Sequence, residues 1–322
     1  MTNIKEIAKR AGVSPSTASR ALSGRGYVSE EKKRLVLAAA EEFDYAPNLN
    51  AVSLKTGSTR RIGLVAPRFA EPVSLFTSGL VRAAEANGYT VTLFMTGSDI
   101  SKETEALEAL RRKQVDALVF VVFWSDLSTI AEYVKYGPIV SWQRLVHEAI
   151  PSVFMNQYDG YTLALEHLYA RGYRRICNVY GDSQRLNTQS RIEAFADFCR
   201  KYDLDPHACP SFQNTDTSGD GEKLVRWWLE NGRPADAFAC TNDWVASGIV
   251  AEARRSGLRI PEDFAVCGFD NLDFAHLLDL TTIHYPVDEQ ANNAFAIIRS
   301  RIEEIELPTR PPVFRLVERL TT

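Results

Sequence analysis

Ser16, Thr17, Ser19 and Arg20 place three hydroxyls and one guanidinium within a single helical turn and a half. If Ala18, Ala21 and Leu22 face inward, those four residues share the opposite face. Such a face suits the major groove of a DNA duplex, because hydroxyls both donate and accept at base edges and a guanidinium pairs with guanine. The helix that carries them is predicted to start at Pro15. Ser14 supplies its N-cap, and proline gives up no needed N–H at the first helical position. Upstream, Ile4, Ile7, Ala8 and Ala11 recur at helical spacing, and Gly12 permits a tight turn between the two helices. A glycine-rich turn at 23–27 follows. Ser29 then caps a third helix, in which Leu35, Ala39 and Phe43 share one face and close a small core with Ile4, Ile7, Ala8 and Leu22. Pro47 ends it, since the residue before proline is pushed out of the helical region.

The charge distribution agrees with a nucleic-acid-facing head. Residues 1–60 carry ten Lys and Arg against six Asp and Glu, a charge of +4, whereas the whole chain is −4, which leaves −8 for the rest. A basic head on an acidic body is expected when only one end meets phosphates. With 322 residues and 45% hydrophobic content, the chain can hold this small module plus about two larger units. Cys177, Cys199, Cys209, Cys240 and Cys267 are scattered, with neither metal-knuckle nor redox-pair spacing, so they read as buried thiols of a reducing compartment. No signal peptide or bilayer-length apolar run is evident, which predicts a cytoplasmic protein without membrane contact.

Enzyme signatures are missing. There is no nucleophile elbow, phosphate-cradling loop, dinucleotide fingerprint or paired-histidine motif, so no catalytic residue and no cofactor is expected. Asp216, Ser218, Asp220 and Gly221 mimic the start of a calcium loop, but its twelfth position is Trp227 rather than Glu, and no metal is expected.

From residue 62 onward, short apolar runs at 62–65, 91–94, 117–122, 138–141, 176–180, 237–241 and 264–269 alternate with amphipathic stretches near 74–87, 101–113, 126–136, 159–171, 187–202, 219–231, 243–256 and 288–306. This alternation implies parallel sheets with crossover helices, and so many strands imply two sheets. Ligands of open α/β sheets sit at the carboxyl ends of strands. Polar residues stand there: Gln143-Arg144, Arg191 opening a helix after 176–180, Asn242-Asp243, and Asp270-Asn271. Amides, a carboxylate and a cation are the groups that recognise vicinal hydroxyls, since each hydroxyl both donates and accepts. Asp243 reads as a helix cap rather than a ligand.

The segment from Ile4 to Leu22 closely resembles the opening of the lactose/galactose-repressor family of bacterial transcription regulators. The likeness continues through Tyr45-x-Pro47-Asn48 and Ala51-x-x-Leu54-x-x-Gly57, and then through the whole body. It implies a helix-turn-helix head at 1–47, a hinge helix and linker at 48–60, and a two-lobed, periplasmic-binding-protein-like α/β effector and dimerisation domain at 61–322. Lobe 1 would comprise about 61–158 plus 288–322, and lobe 2 about 159–287. In such a protein Asn48, Ala51 and Leu54 contact DNA, with Leu54 wedged between central base steps in the minor groove. Two heads of a homodimer would read a pseudo-palindromic operator, and a small molecule between the lobes would change their spacing.

The resemblance assigns effector binding to Gln143, Arg144, Arg191, Asn242 and Asp270, with Glu71 and Ser74 in the loop after the first strand. For Arg191 and Asp270 the alternative is a structural ion pair across the cleft. Departures from the family pattern point away from a simple neutral hexose. Gln143 stands where many members have Asp, Glu71-Pro72-Val73-Ser74 replaces Asn-Pro-Phe-Phe, Asn156-Gln157 replaces Asp-Asn, and Asp216 stands where some members carry a ring-stacking aromatic. Trp124 or Trp244 would then supply the apolar wall. Two other readings remain open: a cytoplasmic solute-binding protein, and a regulator with a nucleoside or purine corepressor.

Overall fold

The computed structural model describes residues 3–23, 26–45, 53, 57–69, 71–208 and 210–322. Asn48, Ala51 and Leu54, and with them the expected hinge helix, lie outside those residues, as does Cys209.

In the head, α1 (Ile4–Arg10) begins at a reciprocal cap. The Asn3 side chain accepts from the Lys5 and Glu6 amides, and Glu6 Oε2 accepts from the Asn3 amide at 3.0 Å. Gly12, at φ +65°, turns the chain in the left-handed region that side chains resist. α2 (Pro15–Ser23) then starts at the expected proline, with Ser14 Oγ accepting from the Thr17 amide at 3.1 Å. In α3 (Glu30–Glu42), Ser29 occupies the cap position, but its hydroxyl makes no capping bond.

The packing face of α3 differs from the expected one. Val36, Ala39 and Ala40 are buried against Ile7, Ala8, Ala18 and Ala21, whereas Leu35 and Phe43 are 45% and 40% exposed. The i, i+3, i+4 set wins over i, i+4, i+8 because two adjacent alanines let α3 approach the other helices closely. A core this rich in alanine is small.

The body contains the two expected sheets. The first runs in the order β2 (Thr90–Met95), β1 (Arg61–Ala66), β3 (Ala117–Phe120), β4 (Ile139–Ser141), all parallel, with α4 (Val73–Glu85), α5 (Ile100–Arg111) and α6 (Leu127–Ala131) in its crossovers. The second runs β10 (Arg315–Val317), β9 (Thr281–His284), β8 (Ala265–Asp270), β7 (Ala237–Ala239), β5 (Ile176–Val179), β6 (Ser211–Phe212), parallel except for the antiparallel edge strand β10. Its helices are α7 (Tyr158–Ala170), α8 (Leu186–Tyr202), α9 (Ser218–Glu230), α10 (Asp243–Arg255) and α11 (Asp273–Leu277). β6, β9, β10 and α11 have no counterpart in the sequence reading.

The boundary expected after residue 288 needs correction. α12 (Val287–Glu303) packs on α4 of the first lobe, but the chain then returns, and β10 pairs with β9 in the second sheet. Thr321 continues that return: its hydroxyl donates to the Val266 carbonyl at 2.7 Å and its carbonyl accepts from the Val266 amide at 2.8 Å. Residues 315–322 therefore belong with the second lobe.

One apolar cluster runs through both lobes, from Ile62, Leu64 and Phe76 to Ala239, Cys267 and Phe269. Phe314 lies within it, stacked on Tyr285 with centroids 5.6 Å apart. Gly160 is required beneath that ring, since a Cβ there would come within 2.7 Å of it.

Candidate DNA-binding and effector sites

On α2, Ala18 and Ala21 are buried, Ser16 and Arg20 are exposed, and Thr17 and Ser19 are half-buried. The helix therefore shows outward the face read from the sequence. Its hydroxyls form a local cluster, with Ser14 Oγ 2.8 Å from Ser16 Oγ and 2.9 Å from Thr17 Oγ1. Arg20 Nε donates to the Ser16 carbonyl at 3.3 Å, which draws its side chain back along the helix.

The second lobe assembles a different kind of site. Arg191, on α8, is 5% exposed. Its Nε donates to Gln157 Oε1 at 2.9 Å, one terminal nitrogen donates to the Thr241 carbonyl at 2.7 Å, and its guanidinium lies 3.9 Å from the Phe269 ring centroid. Burial pushes its pKa down. Two of its five N–H donors are committed to these bonds, and the others have no protein acceptor among the described residues.

Asp270 ends β8 at φ +105°, and Asn271 follows at φ +57°, a left-handed pair costing about 1–3 kcal/mol per residue. Among the described residues no hydrogen bond or ion pair reaches the Asp270 carboxylate. Burial, followed by the charge of Asp243, raises its pKa well above the usual carboxylate range; Arg191 opposes this and Glu71 adds to it. An ion pair across the cleft is thus not what joins Arg191 and Asp270: both belong to the second lobe, and they interact without pairing.

Asn242, expected at the effector site, takes the capping role expected of Asp243. Asn242 is the cap of α10, accepting from the Val245 amide at 2.8 Å and donating to the Asp216 carbonyl at 3.1 Å. Asp243 is fully buried and accepts from the Leu272 amide at 2.7 Å and the Thr282 hydroxyl at 2.6 Å, which locks the Asp270–Asn271 turn against α10 and β9. Burial pushes its pKa up to about 6. Asp220, part of the calcium-like run, is instead committed to a capping box with Thr217, whose hydroxyl holds its pKa down at about 2.

From the first lobe, Gln143 Oε1 accepts from the Phe123 amide at 3.2 Å, and the exposed Arg144 lies over Phe154 at 5.2 Å. Trp124 is 56% exposed; its amide and that of Ser125 are held by the buried Glu103 carboxylate at 2.8 and 2.9 Å. No hydrogen bond or ring contact ties Trp124 or Ser74 to Arg191 or Asp270. Glu71 does reach the second lobe: Trp244 Nε1 donates to Glu71 Oε2 at 2.8 Å, and the Trp244 ring rests 4.5 Å from that of Phe274. Sequence reasoning treated Gln157 only as a departure and did not find Tyr285, whose buried hydroxyl donates to Gln290 Oε1 at 3.4 Å beside Asp270. A cavity of about 200 Å³ under Leu258, Leu278 and Leu320 lies apart from all these residues.

Residues 3–48 match the model of the bacterial regulatory proteins of the lacI family, and residues 165–322 match a periplasmic binding protein-like domain. The chain is 32% identical over 316 residues to a ribose operon repressor of Halalkalibacterium halodurans, covering 96% of this chain and 93% of that one. It belongs to the lacI family. Members of this family are DNA-binding transcription regulators and not enzymes, and so is this chain. The HTH-type transcriptional repressor PurR of Pectobacterium carotovorum is 31% identical over 94% of this chain and 91% of its own. The lac repressor dimer bound to operator and an anti-inducer superposes with a TM-score of 0.82 at 22% identity, covering 99% of this chain and 98% of that one, a match of fold. No described helix is long and apolar enough to cross a membrane.

Proposed function

We propose that this lacI-family chain is a homodimeric repressor whose heads read a pseudo-palindromic operator and whose affinity for it is set by a polar, sugar-like effector held between the lobes. The observation that carries this reading is the nearness of unspent Arg191 donors to the unpartnered Asp270 carboxylate. Arg191 is buried and Asp270 half-buried, their uncommitted polar atoms reach water, and a ligand hydroxyl that accepts from one and donates to the other takes the place of that water. Gln143, Arg144 and Glu71 close the site from the first lobe, and Asn242 shapes its floor from the cap of α10. Ser16 and Arg20 read base edges, with Thr17 and Ser19 at base edges or phosphates. Asn48, Ala51 and Leu54 act at the hinge.

A purine or nucleoside corepressor is the second reading, favoured by the Trp244 and Phe274 rings, which offer a face to a planar base. A thermal-shift screen of sugars, polyols, nucleosides, purines and sugar phosphates tests both. Sugars or polyols raising Tm support the first reading, purines support the second, and a ligand that stabilises Asp270→Ala as well as the parent protein removes the proposed site.

A further inference from the structure

The clearest buried-charge arrangement outside the effector site lies at the root of the linker. Asp116, 8% exposed and immediately before β3, uses both carboxylate oxygens on three consecutive residues. Oδ2 accepts from Ser58 Oγ at 2.6 Å and the Arg60 amide at 2.8 Å, and Oδ1 accepts from the Thr59 amide at 2.8 Å and the Thr59 hydroxyl at 2.9 Å. The Asp116 amide in turn donates to the Arg61 carbonyl at 2.7 Å. Four bonds to one carboxylate fix the direction in which residues 58–60 meet the first lobe, and Arg60 is held at φ +56°.

The Arg60 side chain continues the anchor. Its guanidinium stands 4.7 Å from the Tyr89 ring centroid and 3.5 Å from Glu303 Oε1, which also accepts from the Tyr89 hydroxyl at 3.3 Å. Arg299 holds the other Glu303 oxygen at 2.9 Å and reaches Asn87 Oδ1 at 2.6 Å. Glu303 is the last residue of α12, a 17-residue helix spanning roughly 25 Å. The opposite end of α12 lies at the effector site. There the fully buried Gln290 accepts from Trp142 Nε1 at 2.7 Å and from the Tyr285 hydroxyl, next to Gln143 and Asp270 respectively. Gly79 lets α4 pack against the first turns of the helix, where a Cβ would come within 2.9 Å of Ala291.

We infer that Asp116, Arg60 and Glu303 are positioning residues that set the angle at which the linker leaves the first lobe, and that α12 ties this anchor to the effector side. The inference rests on the operator-binding reading above. A rigid helix fastened at both ends converts a change at Trp142, Gln290 and Tyr285 into a displacement at Arg60, the kind of two-ended element that coupling between sites requires.

The test uses the full-length chain and a duplex that the parent protein selects from a random pool. Glu303→Gln and Asp116→Asn are expected to weaken binding to the selected duplex by about ten-fold, with little change on random duplex, and to speed amide exchange at Thr59 and Arg60. Trp142→Phe, at the far end of α12, is expected to speed the same two amides without touching the anchor. Glu303 reaches solvent, so that variant carries the test if Asp116→Asn does not fold. Equal losses on selected and random duplex, or unchanged exchange at Thr59 and Arg60, overturn the anchor. Exchange that responds to the anchor variants but not to Trp142→Phe overturns the role of α12. A parent protein that selects no duplex removes the repressor reading, while the exchange measurements still decide the anchor.

Discussion

The head and the second lobe treat polar groups in opposite ways. On α2, Ser16 and Arg20 stand exposed over a core of alanines, and the cost of displaying them is small because local bonds and water together satisfy them. In the second lobe, Arg191 is buried and Asp270 half-buried, and the protein uses only part of their bonding capacity. A surface reader can therefore be altered with little effect on folding, whereas the recessed site proposed around Arg191 carries part of its desolvation cost until a ligand binds. Function and stability are separable in the head and opposed in the lobe.

On the DNA-facing side the sharpest test is Leu54→Ala in the hinge. Under the proposed function Leu54 is a wedge that offsets a few kcal/mol of unstacking, and its loss is expected to weaken operator binding by about a hundred-fold while leaving binding to random duplex nearly intact. Titrations on both duplexes measure it, and equal losses remove the wedge. Next in size, Arg20→Ala is expected to cost about 1–3 kcal/mol on operator DNA and to flatten base preference at one position of each half-site, with thermal unfolding of the body unchanged.

Asp270→Asn addresses the lobe. Burial raises the folded-state pKa of Asp270 above its unfolded value, so its contribution to stability is present at low pH and is lost as pH rises through the folded value. The asparagine variant is thus expected to melt about 2–4 °C higher than the parent at pH 8, with the gap closing toward pH 4, and to lose its effector response. Melting curves across that range decide it, and a lower Tm at pH 8 would show that the carboxylate is already satisfied. Asp243, raised to about 6, shifts the parent in the same direction but is common to both proteins.

The smallest effect concerns α3. Leu35→Ser is expected to change head stability by less than about 0.5 kcal/mol, and Val36→Ala to cost about 2 kcal/mol, as read by amide exchange along the helix. Reversed magnitudes would restore the face that the sequence suggested.

How much could be read in advance follows from where the information lay. The turn at Gly12 and the cap at Ser14 are local, and both stand as expected. The Leu35 face went wrong because small alanines carry weak hydrophobic signal, so the larger leucine set the apparent phase. β9 escaped notice because Thr281 and Thr282 look polar. Both are fully buried, with Thr281 bonded to the chain around 319–322 and Thr282 to Asp243, partners that no local pattern reveals. Arg191 stood out by position, but its ties to Gln157 and Thr241 span 34 and 50 residues, and only the folded chain brings them together.

The bond from Trp244 to Glu71 has a kinetic consequence. If the effector enters beside Arg191 as proposed, the bond that joins the indole to Glu71 across the two halves of the body is expected to break before entry. Capture will then be slower than diffusion alone permits and will steepen with temperature, and its observed strength will be reduced by the fraction of time the gate stands ajar. Stopped-flow recording of indole fluorescence over a range of temperatures reads that opening, with Trp244→Phe, which keeps a ring but lacks the donor, as the ungated reference.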